Sequence, residues 1–192
     1  MRGDHDGGAD PGRIRIGASD CERIRTGPVA QPVNTATSLA YVAAAAVILA
    51  RYPGGDPAQR RHVRLFSAVL ALVGLGSAAF HGPQPPGAKA LHDLPIEALL
   101  TLMLGAPALR AHRGDEPLPG WTRRRGWGLA AGTLAGLAAY RGGRTGARTC
   151  DPDSLIQLHG AWHVLSAATL VGAADILHGT APDTSAVARS RR

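Results

Sequence analysis

The chain reads as an all-α integral membrane helical bundle of about five transmembrane helices, and two observations predict it. First, the 35 charged residues cluster, leaving uncharged runs at 26–50, 65–88, 126–140 and 154–174. A surface helix of a soluble protein carries a charged face, which these runs lack, whereas about 20 mostly apolar residues are what a bilayer-spanning helix requires. Second, 20 of the 21 basic residues are Arg, and they concentrate in short segments between the runs, as in the loops of membrane proteins. Mean hydropathy near zero is then an average of neutral spans and charged loops. With 35 Ala and 25 Gly against 4% aromatic residues, small side chains supply much of the apolar fraction. This patterning argues against a disordered chain, a disulfide scaffold and a soluble enzyme. A pI near 10.6 invites a nucleic-acid reading, but the arginines are not interleaved with aromatics on one face, so no nucleic-acid partner is expected.

The five spans follow in order. Span 1 covers residues 29–50, entered through Pro28 and Pro32 and stopped by Arg51, Pro53 and two glycines. Span 2 covers 63–81 and ends at the Gly82, Pro83, Pro85, Pro86 cluster. Span 3, 90–109, contains Asp93 and Glu97 and stops at Arg110. Span 4, 121–140, carries Trp121, Trp127 and Tyr140 as interfacial anchors, with Gly128, Gly132 and Gly136 spaced to let a neighbouring helix approach. Span 5, 154–177, has Asp175 near its end. The chain thus divides into an extramembrane tail and loop (1–28), a transmembrane domain (29–178) and a basic tail (179–192). Residues 1–28 lack an apolar signal segment, so span 1 is expected to direct insertion. With the N-terminus outside, the inner segments carry 12 basic residues and the outer ones 9. This favours a multi-pass protein of the cell membrane with its C-terminus in the cytoplasm.

Ionisable groups inside spans are costly and mark function. On this topology His81 closes span 2, Asp93 opens span 3, and His159 and His163 lie in the first turns of span 5, so all four arrive at one depth. His159 and His163 are spaced i, i+4 and project from one face, as do Ser77 and His81. Three histidines from two helices match the protein ligands of a catalytic zinc site with one open position. Such zinc brings the pKa of its water to about 7. Asp93 is then placed to act as general base and Ser77 to stabilise an oxyanion. The competing readings are an i, i+4 histidine pair arising by chance among eight histidines, Asp93 as a helix N-terminal charge, and Ser77 bonded back to its own helix. Glu97, one turn after Asp93, is expected to share its polar surroundings. Asp175 and His178 fall at the opposite interface, outside the site.

Three blocks, in order, resemble the alkaline ceramidases. They are Asp20-Cys21-Glu22 with Pro32-Val33-Asn34-Thr35-Ala36-Thr37-Ser38-Leu39-Ala40-Tyr41; then Gly74-Leu75-Gly76-Ser77-Ala78-Ala79-Phe80-His81 with Leu91-His92-Asp93-Leu94-Pro95; then His159-Gly160-Ala161-Trp162-His163. They are similar to that family's G-x-G-S-x-x-F-H, D-E-L-P and H-x-x-W-H segments. The wider superfamily includes seven-helix receptors. The resemblance implies a zinc-dependent hydrolase that cleaves the amide bond of a ceramide-like or other N-acyl lipid through metal-bound hydroxide. His81, His159 and His163 are implied as zinc ligands, with Asp93 and Ser77 as catalytic residues. It also implies calcium at Asp20 and Glu22, although Arg23, Ile24 and Arg25 follow and Gln31 stands where a carboxylate is expected. The family has seven spans, so relative to it two helices are missing between Asp93 and His159, which allows for a homo-oligomer. Cys21 and Cys150 both fall on the outer side, either as a disulfide or as two unrelated thiols. The alternative function is a non-enzymatic receptor or sensor with a structural zinc site.

Overall fold

The computed structural model describes residues 16–113 and 120–178. The acidic start of the chain and the basic tail 179–192 lie outside the described residues. Five helices make up the fold: α1 (Pro32–Arg51), α2 (Pro57–His81), α3 (Ala88–Arg113), α4 (Arg123–Gly142) and α5 (Leu158–His178). They pack as a row in the order α3, α2, α1, α5, α4. The all-α bundle expected from the sequence is therefore present. Three helices, α1, α2 and α5, are long and apolar enough to cross a membrane. Among the described residues, α3 and α4 have the length but fall short in apolar content. Lys89, Asp93 and Glu97 open α3, and Arg123, Arg124 and Arg125 open α4.

The helix ends explain where the expected spans shift. Asp56 caps α2 by accepting from Gln59 N at 2.8 Å, and Pro57 takes the first turn. The helix thus begins six residues before the apolar run, through an arginine-rich turn that needs no burial. At the other end of the chain, Ser154 Oγ accepts from Ile156 N at 3.0 Å. That local turn delays α5 until Leu158. Thr122 caps α4, accepting from Arg125 N at 3.2 Å. Gln31 occupies the N-cap of α1 without capping it. The carboxylate there comes from Glu22, whose two oxygens accept from Val33 N (2.7 Å) and Asn34 N (2.8 Å). This satisfies two orphan amides and places negative charge at the positive end of the helix dipole.

The core runs through Tyr41, Ile48, Phe66, Leu70, Val73, Leu99 and Ala174. Small residues set the interhelical distances. Pro95 lies inside α3 and has no N–H to give Leu91 O, its partner one turn back. That carbonyl instead abuts Gly76 of α2, where any Cβ would collide with it. Of the glycine stripe on α4, Gly132 faces Thr169 and Gly136 faces Trp162 of α5, while Gly128 meets nothing. Two of the three therefore make the close approach expected of them.

Candidate metal centre

Three histidines meet where α2 finishes and α5 begins. His81 is the last residue of α2, and His159 and His163 fill the first turns of α5. One ring nitrogen from each lies within 4.8 Å of the others, and all three side chains are buried. Ring centroids are 5.1 Å (His81–His159), 5.3 Å (His81–His163) and 4.7 Å (His159–His163) apart. Among the described residues no other three His, Cys, Asp or Glu side chains gather this closely.

The hydrogen bonds behind the rings decide which nitrogen faces inward. Gln31 Nε2 donates to Gly17 O (3.1 Å) and Glu22 O (2.8 Å). With its amide hydrogens so committed, Gln31 turns Oε1 to His81 Nδ1 at 2.7 Å. An amide oxygen only accepts, so His81 carries its proton on Nδ1 and keeps a bare lone pair on Nε2. That Nε2 is buried and has no hydrogen-bond partner. The same logic applies to His163. Thr37 Oγ1 gives its single proton to Val33 O at 2.8 Å and therefore accepts from His163 Nδ1 at 3.1 Å. Behind His159, Asp20 Oδ1 stands 3.3 Å from Nδ1, off the line of a hydrogen bond. Neutral imidazoles held from behind at Nδ1 are what a metal site requires. One ring nitrogen from each histidine is therefore available to a single metal ion.

Asp20 reaches His159 because the segment before α1 folds back onto the loop between α4 and α5. Cys21 N donates to Gly143 O (2.8 Å), Arg23 N to Pro152 O (3.0 Å) and Thr145 N to Ser19 O (3.0 Å), with an antiparallel bridge at Asp20 and Arg144. A Cys21–Cys150 disulfide closes the same seam, which resolves the two thiols as a bridge. At Gly143 a side chain would collide with the His159 backbone, so the loop reaches the histidine only through a glycine. Asp20 also accepts from Arg144 NH1 at 2.8 Å. Burial pushes its carboxyl up to about 6, and Arg144 opposes that rise. Arg144 in turn lies over the Tyr140 ring, which packs 6.0 Å from His159. Tyr140 is thus part of the wall around the site as well as a helix-end aromatic.

The remaining sequence-derived residues separate into three groups. Ser77 is buried one turn before His81, on the expected face. Asp93 approaches the histidines only through its neighbour. His92 packs 6.2 Å from His81 and 4.6 Å from Phe80, and its Nδ1 meets Asp93 Oδ1 at 2.7 Å. Asp93 itself pairs with Lys89 and is 38% exposed. Glu97 is exposed and does not share that contact. Asp20 and Glu22, grouped as calcium ligands in the sequence, take protein partners instead. Glu22 spends both oxygens on α1, and Asp20 spends Oδ1 on Arg144 and His159. Neither belongs to a candidate metal group among the described residues. Sequence reasoning missed Gln31, Thr37 and the fully buried Asn34, whose side-chain amide has no partner. Gln31 precedes a proline, and Asn34 and Thr37 sit in the first turns of α1, so no periodic signal marked them out. Comparison with protein-family models, with curated proteins and with solved structures gives no match to this chain.

Proposed function

We propose that the chain is a zinc-dependent membrane hydrolase of the alkaline ceramidase kind, cleaving the amide bond of a ceramide-like or other N-acyl lipid. The observation that carries this reading is the group of three buried histidines, with acceptors behind His81 and His163 and a carboxylate behind His159. Zinc held by His81, His159 and His163 supplies Lewis acidity and brings the pKa of a bound water to about 7. Asp20 is a positioning residue that steadies His159. On the α3 side Asp93 accepts from His92 Nδ1, so His92 keeps a bare lone pair on its other nitrogen, which takes a proton from the attacking water and returns it to the leaving amine. Ser77 donates toward the carbonyl oxygen from α2, and the unpartnered amide of Asn34 is a second donor for a substrate oxygen.

The lipid class is supported by the three membrane-length helices and by exposed apolar side chains on the outer helices, among them Leu94, Leu104 and Leu134. The orientation proposed is N-terminus outside and C-terminus in the cytoplasm, with all five helices crossing the cell membrane. The basic-residue counts favour it, and a Cys21–Cys150 bridge persists only on an oxidising side. A structural zinc centre closes its shell with four protein ligands, whereas this group has three, which favours catalysis over a receptor role.

The test is metal analysis of the purified protein joined to product detection from a panel of N-acyl lipids. About one zinc per chain together with a released fatty acid is the expected result. Zinc without any product turns the assignment to a receptor or sensor. Protein that binds no zinc, or His163→Ala protein with zinc content and activity unchanged, sinks the hydrolase reading.

A further inference from the structure

His178 closes α5 at the far end of the bundle, about 22 Å from His163 at 1.5 Å per residue. A cavity of about 400 Å³ opens there, lined by Arg51, Tyr52, the turn at 53–55, Gln59, Arg125 and His178. His178 is only 5% exposed, and its Nε2 is buried without a hydrogen-bond partner. Gln59 Nε2 donates to His178 O at 3.2 Å, tying α2 to the end of α5 across the cavity floor.

The charges around this cavity select a ligand sign. Arg51 and Arg125 line it, and Arg60 donates to the carbonyl of Gly55 on its rim. The carboxylates nearby are already committed. Asp175 accepts from Arg51 NH1 at 3.2 Å and from Tyr52 Oη at 2.5 Å, and Asp56 caps α2. Arg125 spends one nitrogen, Nη1, on Gly120 O (2.7 Å) and Asp175 O (3.4 Å) while its side chain lines the cavity. A cation meets two guanidiniums here, and among the described residues His62, His178 and Asp175 do not converge as metal ligands. An anion with several acceptor oxygens meets fork-shaped donors suited to it.

We infer that this cavity binds a phosphate group, through Arg51, Arg125 and His178. The starts of α2 and α4, which lie at this end, carry Arg60, Arg61 and Arg64 and Arg123, Arg124 and Arg125. A basic cleft between helix ends suits an anionic lipid headgroup in the adjoining leaflet, and it equally suits a soluble phosphate. The inference stands on this cavity alone and does not depend on zinc.

The experiment uses full-length protein in detergent, titrated with dihexanoyl phosphatidic acid, dihexanoyl phosphatidylcholine and inorganic phosphate, with bound species counted by native mass spectrometry. Saturable binding of phosphatidic acid well above phosphatidylcholine is the expected result. Inorganic phosphate matching the lipid assigns a soluble ligand, and phosphate without effect assigns a lipid headgroup. Arg125→Gln, which keeps the Arg51–Asp175 pair, weakens binding about tenfold, the loss of one charge-assisted contact. His178→Gln weakens it also. Equal affinity for phosphatidic acid and phosphatidylcholine, or an Arg125→Gln affinity equal to wild type in protein that retains its helix content, overturns the inference.

Discussion

Each end of the bundle holds histidines, at least one of them buried, and the two ends differ in what stands behind them. At one end His81, His159 and His163 gather with an amide oxygen, a hydroxyl and a carboxylate at their Nδ1 atoms. At the other, His62 and His178 stack at 4.9 Å, beside a cavity that Arg51 and Arg125 line. Both ends contain a buried imidazole nitrogen without a partner, Nε2 of His81 and Nε2 of His178. The histidine alone is therefore uninformative. Acceptors behind a ring push its lone pair forward toward a cation, whereas guanidiniums around a ring turn the cavity toward an anion.

The sharpest way to break this contrast is to remove one histidine from each end. His81→Ala should lower zinc affinity by more than about 100-fold, since even an outer contact to a ligand is worth 10–100-fold. His178→Ala should leave zinc content unchanged. Equal zinc loss in both proteins, measured by metal analysis after dialysis, erases the distinction between the ends. Next in size is the seam that brings Asp20 to His159. Cys150→Ser should lower stability by about 2–4 kcal/mol in a thermal melt, and hydrogen exchange should rise first in residues 17–25 rather than near Asp175. Gln31→Leu removes the acceptor behind His81, and an equilibrium zinc titration should show affinity weakened about 10–100-fold. Asp20→Asn should fall at the low end of that range, because its contact to His159 is longer and less aligned than that of Gln31. The smallest effect expected is for Gly76→Ala, which forces a methyl against the Leu91 carbonyl. It should cost about 1–3 kcal/mol of stability, read as a lower melting temperature with zinc stoichiometry retained.

The histidines were legible because position and periodicity both announce them: His81 sits at the end of an apolar run, and His159 and His163 share one helical face. Their partners were not legible. Gln31 and Asp20 reach the rings from a segment with no periodicity, and Asp20 crosses 124 residues of sequence to meet Arg144. The choice between His92 and Asp93 was equally hidden. Adjacent residues on a helix point about 100° apart, so only one can face the histidines, and sequence spacing does not set the rotation of α3. The helices themselves were placed to within a few residues wherever a run was apolar. The start of α2 was the exception, since an N-cap and a proline extended it through arginines. Spans 3 and 4 also exist as helices, but among the described residues neither is apolar enough to count as a membrane span.

The seam between residues 17–25 and the loop at 142–153 has a consequence for how the protein is made. The contact of Asp20 with His159 joins one of the first described segments to one of the last. During synthesis, Gln31 is already in place while α5 is still unmade, and Asp20 has nothing to hold. The three-histidine group can therefore be completed only after α5 is made, and Cys21 must wait for a partner that emerges 129 residues later. Oxidation of that pair is a final latch. It ties the early segment to the loop before α5, beside the three histidines.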